Sequence, residues 1–377
     1  MDAARDIAGI GVPFAAGAAA GAVLYPFLSG RLHLTAAILP AVPVGLILFY
    51  LFRLRRSDAG GHRSAELWTV IPASFFLAGI FCGVNALLAQ GIPVWENNPV
   101  SKAADSAVTY LRAAIDSIPY SSDTTGPLVK ALLTGDRSGL TKDITRIFRD
   151  SGASHLLALS GLHLGVIYLI LIRLAAPLGN GRRARILKYS LIVGAAAFYS
   201  IMTGAAPSIV RALLFIILNE TAKLLGRKRE PARVLFTALT VQLALKPGVI
   251  TSVGFQLSYL AMAGIFFLFP TLDRIYPSPA GGGRPGFDPF RKIWSAAVLS
   301  ISCQVFTGPL AWYYFRTFPE YFILTNLIAL PLTSAIMTLS VATIALTCLG
   351  ICPEFLVTLN DGAMQALVFS LEVISSL

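Results

Sequence analysis

Residues 154–165 read Ser-His-Leu-Leu-Ala-Leu-Ser-Gly-Leu-His-Leu-Gly, and they begin an apolar stretch that continues to about residue 176. An apolar stretch of about 20 residues can cross a bilayer as a helix, so we predict a membrane span over 155–176. Ionisable side chains are costly inside a membrane and usually face the protein interior or a water-filled path. His155, Ser160 and His163 therefore predict that this span borders a polar interior.

Two pairs of residues in this stretch suggest how that interior is built. Ser160 and His163 are three positions apart, so on one continuous helix they would lie on the same face. Gly161 and Gly165 form a G-x-x-x-G pair, a spacing that lets a second membrane helix approach closely. We therefore predict a close-packed polar face around His163.

The composition of the whole chain predicts the same class of protein. Of 377 residues, 55% are hydrophobic and 13% are charged, and the mean hydropathy is +0.71, whereas soluble domains carry about 25% charged residues. We predict an all-α fold, a polytopic transmembrane helical bundle of about 10–11 spans. The predicted spans lie near 8–28, 32–52, 67–89, 155–176, 186–203, 207–225, 232–245, 253–269, 293–312, 321–350 and 355–377.

Several of these spans have unusual lengths. Those near 186–203, 232–245 and 253–269 are short for a full crossing, and the long stretch 321–350 is interrupted by Pro331. Irregular backbone at membrane depth is tolerated only where protein or water covers its freed polar groups. We therefore predict that some spans are tilted, broken or re-entrant.

The basic residues predict the orientation of the chain. Most of the 30 Lys and Arg residues fall in alternate loops between the spans, and short basic loops usually stay in the cytoplasm. This bias predicts a cytoplasmic N-terminus and cytoplasmic loops at 53–66, 177–188, 226–233 and 270–292. Topology therefore accounts for much of the formal net charge of +11.

A second group of basic residues lies in the segment 90–153, which this orientation places outside. Residues 141–150 predict an amphipathic helix with Thr141 as its N-cap and Gly152 as its stop. Such a helix either lies on the bilayer surface with snorkelling arginines or presents an electropositive entrance to the span that follows. The candidate basic entrance consists of Arg137, Lys142, Arg146 and Arg149.

The sequence lacks the motifs of a metal site or an energy-coupling site. It contains no glycine-rich phosphate loop with its lysine, no H-E-x-x-H pair and no His-x-His-x-Asp-His box. Cys348 and Cys352 share a helix face, but no His or carboxylate lies at ligand spacing, which favours small buried side chains. We predict no metal, no cofactor, and neither ATPase nor nuclease activity in this chain.

Four elements follow one another between residues 131 and 335. The first is Gly-Asp-Arg-Ser-Gly-Leu at 135–140 with Ser-His-Leu-Leu-Ala-Leu-Ser-Gly-Leu-His at 154–163. Pro-Ser-Ile-Val-Arg-Ala at 207–212, Gly-Phe-Gln-Leu-Ser at 254–258 and Asn-Leu-Ile-Ala-Leu-Pro-Leu at 326–332 complete the series. In content and order they resemble the signature of the ComEC competence proteins, which are polytopic inner-membrane channels of bacteria.

The resemblance implies a function, partners and site residues. A ComEC-like chain conducts single-stranded DNA from the periplasm to the cytoplasm during natural transformation, within membrane lipid and with no bound cofactor. Separate DNA-receptor, ATPase and nuclease proteins would supply the other steps, and the chain itself is compatible with a homo-oligomer. Matched onto this sequence, the implied DNA pathway consists of His155, Ser160, Gly161, His163, Arg211, Gln256, Ser258 and Asn326.

The pattern of spans predicts a domain organisation, and the resemblance implies the nature of its last part. We predict an N-terminal three-helix transmembrane unit at 1–89, an external segment at 90–153 and a competence-type channel core at 154–377. Many family members also carry an OB-like domain and a metallo-β-lactamase-like domain, which are not recognised here, and Lys246 precedes Pro247 where the family has Asp. The chain stops at Leu377 inside an apolar run, as a truncated chain would.

Several pathway residues have an alternative, structural interpretation. Arg211 can snorkel outward, or it can pair with Glu220 or Asp361 instead of lining a path. Polar side chains can also hold membrane helices together by hydrogen bonds. The residues with this second role would be Gln256, Ser258 and Asn326.

Two other functions remain open on the residues alone. Ser160 and His163 are the residue types of a nucleophile and its base, as in an intramembrane hydrolase, although three-residue spacing on one helix rarely brings them together. A small-molecule or lipid transporter would also contain broken spans and buried charges. An inverted repeat would favour the transporter, and we detect none in the sequence.

Overall fold

The computed structural model describes residues 11–21, 73, 75–80, 82–84, 99–179, 181–227, 230–276, 288–316 and 320–377. Within these ranges the chain is helical and contains no strand, which confirms the all-α prediction. The predicted span near 32–52 lies outside the described residues, and those near 8–28 and 67–89 are described only in part.

From residue 99 onward, thirteen α-helices are numbered here in chain order within the described ranges. Two 3-10 turns (Ala176–Leu178 and Pro247–Thr251) and one π-helical turn (Gly264–Leu268) lie between them. The helices are α1 (Pro99–Asp116), α2 (Thr125–Thr134), α3 (Lys142–Asp150), α4 (Ser154–Leu157), α5 (Gly161–Ala175), α6 (Arg182–Met202), α7 (Pro207–Leu224), α8 (Pro231–Leu245), α9 (Val253–Ala263), α10 (Phe269–Asp273), α11 (Pro289–Phe315), α12 (Phe322–Cys348) and α13 (Glu354–Ser375).

Five helical segments are long and apolar enough to cross a membrane, so the chain is a multi-pass membrane protein. Two segments predicted as short are longer in the structure, because Arg182–Met202 and Val253–Asp273 each contain 21 residues. α8 remains short, as predicted. The five segments are Gly161–Leu178, Arg182–Met202, Val253–Asp273, Pro289–Phe315 and Phe322–Cys348.

α12 continues through Pro331, contrary to the predicted interruption. Proline removes one backbone donor, but neighbouring helices and Ser or Thr side chains make such a residue tolerable in a membrane helix. The missing donor at Pro331 leaves the carbonyl of Leu327 without its usual helical partner, and the helix nevertheless runs from Phe322 to Cys348. The long apolar stretch is therefore one helix.

The predicted span over 155–176 is wrong at its beginning. α4 ends at Leu157, Ala158 and Ser160 have extended backbone, and α5 begins only at Gly161. Ser160 satisfies the first free backbone donors of α5 as its N-cap, and a cap residue is itself non-helical. His155 and His163 therefore lie on two different helices.

A π-helical turn interrupts the segment Val253–Asp273 at Gly264–Leu268. Gly264 lies directly against α11, since a Cβ there would overlap the carbonyl oxygen of Ser302. Phe266, in the same turn, stacks on Phe215 of α7 with ring centroids 6.2 Å apart. The turn thus holds α11 and the first half of α7 at defined positions.

The chain divides into two compact units, one from Met1–Glu96 with Ile217–Tyr259 and one from Asn97–Ile216 with Leu260–Leu377. In the first unit, the helical residues 11–21 meet those at 75–80 and 82–84 through glycines on both sides. A Cβ at Gly17 would overlap the carbonyl of Phe76, and one at Gly79 would overlap that of Phe14. Such glycines are what lets two membrane backbones touch.

In the second unit, α1 to α4 pack into the same hydrophobic core as α12 and α13. Leu128, Leu132 and Phe148 are among the largest fully buried side chains of the described residues, and Met364 and Leu367 of α13 lie in the same cluster. A second cluster joins α5, α6 and α7. Whether the segment 90–153 lies outside the membrane stays a prediction, but its described helices are integral to this core.

Candidate functional site

Ser160 and His163 form a capping box at the N-terminus of α5. The Ser160 hydroxyl accepts the backbone N–H of Leu162 (3.2 Å), and Nδ1 of His163 accepts the backbone N–H of Ser160 (3.2 Å). Nδ1 also lies 2.9 Å from Oγ of Ser160. Glu or Gln usually fills the histidine's position in this motif, so His163 has a structural role that the sequence did not reveal.

The rest of the His163 ring is enclosed by protein. The residue is fully buried, and Nε2 has no well-formed hydrogen bond within the described residues, although the carbonyl of Leu156 is near enough to interact with it. Because Nδ1 accepts from a backbone donor, the ring proton of the neutral form lies on Nε2. Nδ1 therefore takes part in the cap of α5, and the Nε2–H group is a buried donor.

Arg211 of α7 reaches the same helix end. A Cβ added at Gly161 would lie 2.9 Å from Nη2 of Arg211 and 3.6 Å from Cβ of Ala212. The Arg211 side chain is buried, and its guanidinium group lies 6.0 Å from the ring centre of Phe215. Gly161, which follows Ser160 at the start of α5, thus meets a sequence-predicted residue from a distant motif.

Only one glycine of the predicted G-x-x-x-G pair makes a close contact. A Cβ at Gly165 would meet nothing within 4 Å, so the prediction that both glycines admit a second helix is wrong for Gly165. The reason is that α5 begins at Gly161, and the guanidinium of Arg211 approaches this first turn specifically. Gly161 makes room for a side chain there, and Gly165 faces open space.

The loop 135–140 packs onto the segment that precedes α5. Gly135 ends α2 with φ +77° and lies against Leu159, because a Cβ there would stand 2.5 Å from its Cδ1. Nε of Arg137 donates to the carbonyl of Leu157 (2.9 Å). The two halves of the first sequence element are therefore neighbours in space, a contact that no spacing rule predicts.

Asp136 fixes the shape of that loop. Its Oδ1 accepts from the backbone N–H of Ser138 (3.0 Å) and from the Ser138 hydroxyl (2.7 Å), and its Oδ2 pairs with Nε of Arg112 (3.1 Å). The hydrogen bonds from Ser138, followed by the charge of Arg112, hold the pKa of the Asp136 carboxyl below its usual value. The loop is therefore organised around an ionised carboxylate.

α3 confirms the amphipathic helix predicted at 141–150. The Thr141 hydroxyl accepts the N–H of Ile144 (3.3 Å), and Gly152 follows the helix with φ +80°. Ile144 and Phe148 are buried in the core shared with α13. Because protein covers this apolar face, anchoring α3 to lipid through it is not its role.

The four residues of the basic entrance have unequal environments. Lys142 is exposed, and Arg146 and Arg149 share the carboxylate of Asp150 at 3.2 and 3.1 Å. These hydrogen bonds, that from Arg149 first, lower the pKa of Asp150. Their outer face remains accessible, since 74% of the Arg146 side chain and 67% of the Arg149 side chain are exposed. Arg137, by contrast, holds the loop to Leu157.

The remaining predicted residues make contacts of their own, and His155 lies close enough to His163 to interact with it electrostatically. His155 is exposed on α4, with Nδ1 3.2 Å from the carbonyl of Gly152. Asn326 is half-buried on α12, next to Thr325, whose hydroxyl donates to the carbonyl of Ser151 (2.7 Å).

Gln256 and Ser258 belong to the first unit. Nε2 of Gln256 donates to the carbonyl of Ile250 (2.8 Å), which stabilises the 3-10 turn before α9. Oε1 of Gln256 is buried without a hydrogen-bond partner among the described residues. Ser258 is half-buried on α9. For Gln256 the structure thus shows a local structural bond, and its role in a DNA path stays a prediction.

A buried polar cluster between α2, α12 and α13 was missed in the sequence. Asp361 is 3% exposed and accepts from the backbone N–H of Ser121 (3.2 Å), the hydroxyl of Thr125 and the amide of Gln365 (3.3 Å). Arg211 is not among its partners, so the alternative Arg211–Asp361 pair is wrong. A carboxylate within an apolar run was the signal for such a cluster.

Asn360 extends the cluster to α12. Its amide nitrogen donates to the hydroxyls of Ser340 (3.1 Å) and Tyr120 (3.3 Å), and the Ser340 hydroxyl donates back to Oδ1 (3.3 Å). Burial raises the pKa of Tyr120 to about 12, so its hydroxyl stays protonated at neutral pH. These bonds join three helices in a region without an apparent ligand role.

The cluster of Ser160, Gly161, His163 and Arg211 is the candidate functional site. A guanidinium group beside the N-terminus of a 15-residue helix adds a full positive charge to the positive end of the helix dipole. Phosphate is the chemistry that such an end favours. Within the described residues no group of three His, Cys, Asp or Glu side chains has the geometry of a metal site.

Comparisons with known proteins identify the family. A family model described as "Competence protein" matches residues 132–377. The chain is 26% identical over 209 residues to ComE operon protein 3 of Bacillus subtilis (55% of this chain and 25% of the relative). It is 28% identical over 216 residues to competence protein ComA of Neisseria gonorrhoeae (56% and 29%) and 29% identical over 214 residues to the uncharacterized protein YcaI of Escherichia coli (55% and 27%).

The matched region therefore spans about a quarter of the length of these curated relatives. No solved structure matches the chain. The family match begins at Leu132 and includes the loop 135–140, the capping box and Arg211. Because it covers well over half of the chain, this protein belongs to the ComEC-type competence protein family.

Proposed function

We propose that this chain is the membrane-channel part of a DNA-uptake system and conducts single-stranded DNA into the cytoplasm. The contact between Gly161 and the guanidinium of Arg211 carries the proposal. This contact joins the family element at 154–163, which contains His155 and His163, to the element at 207–212, which contains Arg211. The names of two relatives, ComE operon protein 3 and competence protein ComA, agree with a role in transformation.

The physical support is electrostatic. A single strand carries one phosphate charge per nucleotide, so it needs an aqueous route with cations along it. Arg211 is permanently charged and lies beside the N-terminus of α5, whose backbone donors point towards the same end. Phosphates passing this point would meet the two positive groups together. The exposed cations of α3 would supply the first attraction.

Oligonucleotide binding tests the proposal. The purified full chain in lipid nanodiscs is titrated with fluorescein-labelled oligo(dT) between about 50 and 200 mM salt. We expect a steep log–log salt dependence, and we expect Arg211→Gln to weaken binding and to flatten the slope by about 0.7. Arg211→Lys keeps the charge and should retain most of the slope. A wild-type protein whose oligonucleotide binding does not depend on salt would refute the proposal.

A serine hydrolase is the second candidate, favoured by the 2.9 Å contact between Ser160 Oγ and His163 Nδ1. Against it, Nδ1 already accepts the backbone N–H of Ser160, and Oγ accepts the N–H of Leu162. A hydrolytic pair also needs an orienting group on the far ring nitrogen, and Nε2 meets no carboxylate among the described residues. Labelling of Ser160 by a fluorophosphonate would favour the hydrolase.

The remaining parts of the proposal concern setting and partners. We propose that the chain lies in the bacterial inner membrane with a cytoplasmic N-terminus, and that separate receptor, ATPase and nuclease proteins act with it. The basic loop 177–188 supports this orientation. A reporter that works only in the cytoplasm should be active when it is fused within that loop. Activity of a periplasm-specific reporter at the same position would contradict the proposed topology.

A transporter of small molecules would show no salt-sensitive binding of oligonucleotide.

A further inference from the structure

The C-terminal end of α11 presents four consecutive aromatic side chains, Trp312 to Phe315. All four are exposed, Trp312 by 54% and Tyr313 by 64%, and the rings of Tyr313 and Tyr314 meet edge to face with centroids 5.3 Å apart. Consecutive helical residues point about 100° apart. These rings therefore surround the helix end, whereas a contact with one neighbouring helix would need a single stripe.

Arg316 adds a cation to this aromatic surface. It ends α11 in the left-handed conformation (φ 55°), which non-glycine residues seldom adopt. Its guanidinium group lies 5.1 Å from the ring centre of Trp312 and 5.9 Å from that of Tyr313. Arg316 therefore combines an unfavourable φ angle with a guanidinium group that lies over two exposed rings.

A groove lies beside Trp312, between α11 and the beginning of α12. It is an open groove of about 430 Å³, lined by Ile301, Gln304, Val305, Gly308, Pro309, Trp312 and Phe322. Most of its lining is apolar. Its size is in the range of sites that hold a small planar ligand.

One polar side chain belongs to this largely apolar groove. The half-buried amide of Gln304 offers both a donor and an acceptor. Polar groups at membrane depth are unfavourable against lipid and are tolerated where they border water or a polar ligand. Gln304 therefore gives the groove a hydrogen-bonding partner for the edge of a base.

The groove begins next to a residue of α11 that interacts with the candidate site. Cys303, the neighbour of Gln304, is within electrostatic range of the guanidinium of Arg211. From Gln304 to Arg316 the helix rises by roughly 18 Å, at about 1.5 Å per residue. A strand of a few nucleotides would span that distance.

We propose that this groove and the aromatic end of α11 bind single-stranded DNA by base stacking, with a base against Trp312, the amide of Gln304 on its edge, and Arg316 on a phosphate. The inference rests on the proposed function and adds how the bases are held. Every base has a π-face, so stacking of this kind tolerates any sequence. Arg316 supplies charge complementarity to the phosphates of the strand.

The test compares oligo(dT) with an abasic oligonucleotide of equal length, which retains the phosphates and lacks the bases. The full chain in nanodiscs should bind oligo(dT) about tenfold more tightly than the abasic strand, as expected for even one stacked base. Trp312→Leu with Tyr313→Leu keeps apolar bulk and removes the rings, and it should abolish this preference while retaining binding to the abasic strand. Trp312→Phe should keep part of the preference.

Matched controls use aromatic residues of similar exposure on another helix. Phe355 and Phe369 of α13 are 69% and 65% exposed, and replacing both by Leu should leave the preference for oligo(dT) unchanged. Arg316→Gln should weaken binding to both oligonucleotides and lower the salt slope by about 0.7. Glu320→Gln removes an exposed carboxylate that is close in sequence and should act in the opposite direction.

Each outcome separates the stacking proposal from the function on which it rests. Equal wild-type affinity for the two oligonucleotides would overturn base stacking and leave DNA binding intact. Binding to neither would refute the proposed function itself. If the double Leu variant keeps the preference but the protein is extracted from lipid more easily, the rings of Trp312 and Tyr313 anchor the protein at the bilayer interface, and the proposal is wrong.

Discussion

Gly161 and Arg211 are in direct contact, and the contact depends on the absence of a side chain at residue 161. A Cβ there would lie 2.9 Å from Nη2 of Arg211, closer than ordinary packing allows. The clashing atom is the end of a long, flexible side chain, so the guanidinium can move while the backbone stays in place. The guanidinium of Arg211 can therefore lie at the N-terminus of α5 because Gly161 has no side chain.

Gly161→Ala should weaken DNA binding without unfolding the protein. The added methyl group displaces the guanidinium from the helix end, and we expect lower affinity for oligo(dT) with an apparent Tm close to that of wild type. Gly165→Ala is the matched control, because a Cβ at Gly165 meets nothing within 4 Å. Alanine favours a helix over glycine by about 1 kcal/mol, so this variant should be as stable as wild type or more so, with unchanged affinity. Equal affinity of the two variants for oligo(dT) would show that the position of Arg211 does not affect DNA binding.

The capping box predicts different effects of substitutions at its two residues. Ser160→Ala removes an N-cap and should lower the free energy of unfolding by about 1 kcal/mol, while Ser160→Thr should retain most of it. His163→Gln keeps a side-chain acceptor for the N–H of Ser160, whereas His163→Ala removes it. We expect His163→Ala to reduce DNA uptake sharply.

DNA uptake by the Gln variant then separates the two roles of His163. If His163→Gln restores both stability and uptake, the histidine acts as a cap alone. If it restores stability and uptake stays low, the imidazole takes part in transport. Thermal unfolding followed by tryptophan fluorescence, together with uptake in a transformable host, distinguishes these results.

The exposed cations of α3 should contribute to binding without contributing to stability. Replacing Lys142, Arg146 and Arg149 by Gln should lower the salt slope of DNA binding by about 0.7 for each phosphate that is no longer neutralised, with little change in Tm. Asp150→Asn should strengthen binding, because it removes the carboxylate that Arg146 and Arg149 share. Arg137→Gln should instead lower Tm, since Nε of Arg137 donates to the carbonyl of Leu157. A large decrease of Tm in the triple variant would contradict this division.

The loop around Asp136 should lose stability in acid. Hydrogen bonds from Ser138 and the charge of Arg112 lower the folded-state pKa of Asp136, so its contribution is complete above the unfolded-state pKa, about 3.9. It decreases as the pH falls through the lower folded-state pKa. The Tm difference between wild type and Asp136→Asn should therefore be largest at neutral pH and shrink below about pH 4. A difference independent of pH would show that the charge of Asp136 has no such role.

Asp361 should be a large contributor to stability. Asp361→Ala leaves the N–H of Ser121 and the buried hydroxyl of Thr125 without their acceptor, and an unsatisfied buried group such as this hydroxyl costs about 1–3 kcal/mol. Asp361→Asn keeps one acceptor oxygen and should be milder. Asp105→Ala, at an exposed position of α1, is the control. Chemical denaturation of the three variants in one detergent gives the comparison.

Local patterns were enough to predict the class of fold and the limits of α3. The cap at Thr141, the apolar positions Ile144 and Phe148, and the stop near Gly152 all follow from spacing within one helix. The start of α5 was mispredicted because hydropathy does not register a polar cap inside an apolar run. The three residues after Ser160 are compatible with a helix that begins at Gly161 and with one that begins earlier. The cap role of Ser160 therefore depends on its hydrogen bonds with His163.

The tertiary contacts of the candidate site could not be derived from spacing. Arg211 meets Gly161 because α7 and α5 are neighbours in one cluster, and residues 50 positions apart carry no periodic signal of that contact. Gly165 looks identical to Gly161 in the sequence, yet it faces open space. The aromatic run at 312–315 was visible, but its exposure and the position of Arg316 over it depend on where α11 ends.

The hydrogen bond between Asp361 and Ser121 also sets the earliest moment at which this part of the core can be completed. The two residues are 240 positions apart, and ribosomes add roughly 5–20 residues per second. Ser121 and Thr125, just before and at the beginning of α2, therefore wait about 12–48 s for their acceptor to emerge. Until then the hydroxyl of Thr125, which is buried in the finished fold, has no carboxylate to accept its hydrogen bond. A chain interrupted before Asp361 would lack the acceptor that joins the start of α2 to α13, so this contact forms only after residue 361 has been synthesised.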